Sequence, residues 1–149
     1  MIPSVVMNLL ATLALLTGMT LAPVLPEPEP EPWEPAEADI CYVSRTIWGE
    51  TRGCPYEEQW AQGCCIVNRV DDPRWGDTIE EVVLQPNQFQ GYSINNPVEP
   101  FYDMAREILI AWHNGDTGVP KDMCFCEGRN GHQIFRTDWI PNEETRYWP

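Results

Sequence analysis

The segment PVLPEPEPEPWEPAEA, Pro23–Ala38, constrains this chain more than any other. A proline at every second or third place removes backbone donors and forbids both helix interior and central sheet. The glutamates between them repel one another. The segment is therefore expected to be an extended polyproline-II spacer of about 40–50 Å, at about 3.1 Å per residue. It divides the 149 residues into a leader, 1–22, the spacer, 23–38, and a remainder, 39–149. Only the remainder has the length and mixed composition of a packed domain.

The leader, MIPSVVMNLLATLALLTGMTLA, is apolar apart from Ser, Asn, Thr and Gly, and reads as an export signal or an N-terminal membrane anchor. No Lys or Arg precedes the apolar run, and Pro23 follows Ala22, both unusual for a cleaved signal. The expected destination is the periplasm, the extracellular space or the outer face of the cytoplasmic membrane. Six cysteines agree with an oxidising compartment and permit 15 disulfide pairings. Neighbouring Cys64 and Cys65 would point about 100° apart on a helix and take different partners, whereas Cys124 and Cys126 would share one face of a strand. With no C-x2-C pair or matching His pair, neither zinc nor another cofactor is expected.

Net charge is −14, but Glu27, Glu29, Glu31, Glu34, Glu37 and Asp39 crowd one short segment, leaving about −8 for residues 40–149. There is no basic stripe, which argues against nucleic acid as a partner. A monomer is expected. The remainder reads as an α+β domain, mainly α, with helices at Asp39–Glu50, Tyr56–Val70, Thr78–Gln85 and Glu99–Trp112 and a small hairpin around Gly128–Gly131. Gly53 and Pro55 end the first helix, and Gly115 ends the last. Asp77 caps the short third helix, with Glu80 completing a capping box. Trp48, Trp60 and Trp75 are expected to be core or loop anchors, and His113 a helix-end cap.

One residue breaks the apolar pattern of the first helix. Taking Glu50 as zero and about 100° per residue, Val43 falls near 20°, Ile47 near 60° and Ile40 near 80°. A carboxyl thus sits on the shoulder of the buried stripe, at the negative end of a helix. Desolvation and the helix dipole both favour its neutral form, so it suits a proton donor. On spacing alone, a boundary Glu paired with Arg52 or Arg45 is the simpler reading.

The surrounding residues change the balance. GETRGCPYEEQWAQGCCIVNRV and then DPRWGDTIEEVVLQPNQF resemble the bacterial cell-wall hydrolase family that includes the spore cortex-lytic enzymes. That family shows E-A-R-G-E, then P-x-E-G-Q, a helix ending L-N-R-V, P-x-F-x-x-T-I and a Q-F-containing loop. Glu50, Arg52 and Gly53 match the first element, and Pro55, Glu57 and Gln59 the second. Asn68-Arg69-Val70 match the third; Pro73, Thr78-Ile79, Gln85-Pro86 and Gln88-Phe89 match the rest. Cys54 stands where the second Glu of E-A-R-G-E would be, and is expected in a disulfide instead. GHQIF, Gly131–Phe135, loosely matches a closing G-N-H-x-F strand.

The resemblance implies a lysozyme-like helical domain that cleaves peptidoglycan glycan strands, with Glu50 as catalytic acid. The implied chemistry is lytic transglycosylation, which yields 1,6-anhydromuramic ends. Muramidase hydrolysis on the same site, a non-catalytic peptidoglycan-binding module and a zinc amidase are the alternatives. Expected substrate contacts are Gln88, Phe89, Tyr92, Arg52, Asn68 and His132. For Phe89 the rival is a core plug, for Arg52 a brace of the turn, and for His132 an ordinary turn residue. Asn68 is expected to hydrogen-bond to the Glu50 turn.

Overall fold

The computed structural model describes residues 22–138. The leader, but for Ala22, therefore lies outside the described residues. Residues 22–32 form no helix or strand and are exposed throughout. The folded unit begins at Trp33. Its elements are helices α1 (Glu37–Thr51), α2 (Tyr56–Val70), α3 (Ile79–Leu84) and α4 (Tyr102–His113), then antiparallel strands β1 (Phe125–Arg129) and β2 (His132–Arg136). A 3-10 turn, Glu99–Phe101, leads into α4. The fold is α+β and mainly α, as the periodicity indicated.

The folded unit takes in more of the Pro/Glu segment than its composition suggests. Trp33 stacks on His113, with centroids 4.0 Å apart. Glu34 pairs with Arg106, and the Tyr102 hydroxyl donates to Glu37 at 2.8 Å. Pro35 is buried. These residues strap the start of α1 to α4. His113 is a stacking partner in this strap.

The centre of the unit is α2. From Ala61 to Arg69 every residue is buried, so this helix is enclosed on all sides rather than along one stripe. It packs against α1, α3, α4 and the hairpin. Val43 and Ile47 of α1, Ile108 and Leu109 of α4 and Val82 of α3 complete the core. Gly63 permits the close triple contact: a Cβ there would lie 2.4 Å from Ile108 Cδ1 and 3.3 Å from Ile47 Cδ1. The hairpin turns through Asn130 and Gly131, with φ of 53° and 77°, as a two-residue Asn-Gly loop requires. Among the described residues, no helix is long and apolar enough to cross a membrane.

Two expectations need correction. The cap of α3 sits one residue later: Thr78 accepts from the Glu81 N–H at 3.2 Å, and Glu81 accepts from the Asp77 N–H at 2.8 Å. The capping box is thus Thr78 with Glu81, because Thr78 has the extended backbone of a cap. No disulfide joins the six cysteines. Cys54 lies against the Gly131 carbonyl at 3.6 Å and not against another sulfur. Cys124 leans on Asp72 at 3.9 Å. Burial pushes the Cys64 thiol up to about 12.

The cap assignment can be checked by urea unfolding. Thr78→Ala should cost about 1 kcal/mol, through loss of a side-chain cap. Asp77→Ala should stay within about 0.5 kcal/mol, as for an exposed substitution away from any special feature.

Candidate active site

Glu50 is the penultimate residue of α1, half-buried, and opens onto a groove of about 570 Å³. One wall is the end of α1 and its turn, Gly49 to Cys54. The other is the hairpin, Gly128 to Gln133. The carboxyl sits there because two backbones meet. A Cβ on Gly49 would lie 1.8 Å from the Gly91 carbonyl oxygen, and one on Gly91 would lie 2.4 Å from that of Gly49. Only paired glycines allow this approach. It brings the Gly91 N–H to Glu50 Oε1 at 2.6 Å.

Burial pushes the Glu50 carboxyl above its ordinary value, opposed by the Gly91 N–H and by the charge of Arg69. Because Oε1 is committed to the Gly91 N–H, a proton on this carboxyl belongs on Oε2.

The loop that carries Gly91 is held by groups whose roles the sequence did not reveal. Asn96 Nδ2 donates to the carbonyls of Arg45 at 3.0 Å and Gly91 at 2.9 Å, and Arg45 Nε returns a bond to the Asn96 carbonyl at 3.2 Å. Phe89 is buried at 5% exposure and is the core plug of its two readings. Tyr92 is half-buried, its ring 5.9 Å from that of Tyr42. The amides and rings of this loop, expected to hold sugar, largely hold the loop itself.

Arg52 braces the turn. Its Nη1 donates to the Trp48 carbonyl at 3.1 Å, and the guanidinium lies over the Trp48 ring. Gln59 completes the end of α1, its Nε2 reaching the carbonyls of Thr51, Arg52 and Cys54 at 3.3, 3.4 and 3.0 Å. Such carbonyls have no partner within the helix, so a side-chain donor here stabilises the turn that bears Glu50. In the sequence Gln59 was legible only as one letter of P-x-E-G-Q.

Asn68 does not bond to the Glu50 turn. Its Nδ2 donates to the carbonyls of Pro120 and Met123, both at 2.9 Å, on another side of α2. The adjacent Arg69, turned about 100° along the helix, is the residue whose charge acts on Glu50. Arg69 is buried, its guanidinium 3.9 Å from the Trp75 ring centroid and 4.6 Å from that of Phe89. Its Nε donates to the Cys124 carbonyl at 2.7 Å and its Nη1 to Gln88 Oε1 at 3.2 Å. Gln88, with Arg69, Trp75, Asn87 and Phe125, lines a second hollow of about 320 Å³.

His132 lines the same groove as Glu50, about half-exposed, with Nδ1 3.0 Å from Glu58 Oε1. The structure thus brings Glu50, Arg52 and His132 to one groove and Gln88 to the second hollow. It places Phe89, Tyr92 and Asn68 in supporting positions.

Two measurements follow. Gly91→Ala should lower stability by about 1–3 kcal/mol through overpacking of backbone, while Gly53→Ala, whose Cβ meets nothing within 4 Å, should stay within about 0.5 kcal/mol. A raised carboxyl pKa stabilises the fold below its unfolded value, and that stability is lost as pH rises through the folded value. Thermal melts should therefore show Glu50→Gln gaining on the wild type as pH rises above the ordinary carboxylate range. The gain should vanish in acid.

Comparison with known proteins agrees with the resemblance read from the motifs. The cell wall hydrolase family matches residues 53–147, starting three residues after Glu50. The spore cortex-lytic enzyme of Oceanobacillus iheyensis is 33% identical over 81 residues, 54% of this chain and 29% of that protein. The spore cortex-lytic enzyme of Bacillus subtilis is 30% identical over 77 residues, 52% of this chain and 25% of that protein. That of Halalkalibacterium halodurans is 28% identical over 80 residues, 54% and 24% respectively. The matched part of the chain thus spans less than a third of these relatives. No solved structure matches. The family match covers well over half of the 149 residues, and the chain belongs to the cell wall hydrolase family.

Proposed function

We propose that this protein cleaves the glycan strands of peptidoglycan, with Glu50 as the single general acid and base, in a lytic transglycosylase reaction. The observation that carries the reading is a half-buried carboxyl opening onto a groove, its pKa raised by burial. Binding alone gives no reason to desolvate an acid there.

In this reading Glu50 Oε2 gives its proton to the oxygen leaving C1 of N-acetylmuramic acid, and the C1–O bond breaks towards an oxocarbenium-like state. The resulting carboxylate is stabilised by the Gly91 N–H and by the Arg69 charge, the two groups that favour its ionised form. It then takes the proton from the C6 hydroxyl as that oxygen bonds to C1 and closes the 1,6-anhydro ring. One carboxyl serves both steps, so no second one at retaining or inverting distance is required. If water replaces the C6 hydroxyl, the same site is a muramidase. The substrate lies outside the cytoplasmic membrane, so the reading requires export. That task is assigned to residues 1–22, with the Pro/Glu spacer giving reach.

Digestion of purified cell walls, followed by mass spectrometry of the products, tests the proposal. Anhydromuramic ends are expected, and Glu50→Gln should lower the rate by about 10²–10⁴-fold while keeping the fold. The wild-type rate should fall as pH rises through the elevated pKa of Glu50, because the acid form is the donor. Reducing ends would identify a muramidase, freed stem peptides an amidase, and full activity of Glu50→Gln would remove Glu50 from the chemistry.

A further inference from the structure

Glu58 is a second carboxylate beside the groove, and no step above uses it. It lies in the first turn of α2 at 6% exposure. Its Oε2 accepts the Gln133 N–H at 2.8 Å, and its Oε1 faces His132 Nδ1 at 3.0 Å. The Cys54 thiol is a further hydrogen-bonding neighbour. Burial pushes this carboxyl up, but the Gln133 N–H, His132 and Cys54 together outweigh it, and the group stays below its ordinary value. Its shift is opposite in direction to that of Glu50.

The Cys54 side chain lies within hydrogen-bonding reach of Glu58, so position 54 offers a second place from which a carboxylate could face His132.

We infer that Glu58 acts as a positioning residue that fixes His132 in the groove beside Glu50. This rests on the proposed function for its catalytic consequence, though not for the pairing itself. With Nδ1–H donated to Glu58, the imidazole is held in one tautomer and one orientation, and Nε2 is the nitrogen left for the groove. There it can hydrogen-bond a sugar hydroxyl or acetamido group next to the bond that Glu50 cleaves. The second strand is registered at the same time, because the same carboxylate holds the Gln133 N–H.

The full chain, isotope-labelled at histidine nitrogen, tests this with Glu58→Gln, Glu58→Ala and the exchange Cys54→Glu/Glu58→Ala. At about pH 8, above the ordinary imidazole range, the wild-type His132 ring should show a hydrogen-bonded Nδ1–H. Glu58→Ala should show mixed tautomers, and the exchange should restore the wild-type pattern. On soluble glycan fragments, Glu58→Gln and Glu58→Ala should lower kcat by about 10–100-fold, the usual effect of losing an orienting partner, with the exchange recovering most of the loss. Glu58→Gln preserves side-chain volume and decides the case if Glu58→Ala does not fold. The inference is overturned if the Glu58 variants keep the wild-type spectrum and kcat. It is equally overturned if the exchange does not fold or does no better than Glu58→Ala. Wild-type protein that leaves glycan intact would instead sink the proposed function, and the spectra would still decide the pairing.

Discussion

The contact between the backbones of Gly49 and Gly91 is what the candidate site depends on. Two peptide groups meet with no side chain between them, and the reach of that contact sets where Glu50 lies and what it bonds to. The loop could not stay there by itself. Asn96 latches it to α1, and Phe89 anchors it in the core. A surface loop is thereby tied to the helix it covers, which keeps the Gly91 N–H against the Glu50 carboxyl.

The site's electrostatics come from two carboxyls treated in opposite ways. Glu50 loses water and receives one backbone N–H, so burial prevails and the acid form is favoured. Glu58 has little exposed surface but receives a backbone N–H, a histidine and a thiol, which together outweigh its desolvation and favour the ionised form. The direction of each shift follows from the balance between desolvation and donors. Arg69, clamped between Trp75 and Phe89, adds a fixed positive charge that tempers Glu50 without pairing with it.

Much of this was legible beforehand, for reasons that differ by element. The boundaries of α2 followed from apolar periodicity closed by Pro55 and the Asp71-Asp72-Pro73 loop, and α4 from its stripe ending at Gly115. The glycines at 128 and 131 marked the hairpin, and its turn falls at Asn130 and Gly131. Glu50 stood out because a charge on an apolar shoulder conflicts with packing. Asn68 misled because a residue on the rim of a helix can face either neighbour, and a turn of about 100° separates the two. The loop's amides misled for a related reason: composition shows that polar donors are present, but not which carbonyls they will meet.

Local chemistry in the chain determined the order of helices and hairpin, the break imposed by the Pro/Glu segment and the presence of one misplaced acid, because periodicity and backbone restrictions act between near neighbours. Tertiary structure decided the rest. It joined Gly49 to Gly91 across 42 residues, brought Arg69 to bear on Glu50 and set Glu58 against His132, since burial and donor geometry exist only once distant segments have been packed together.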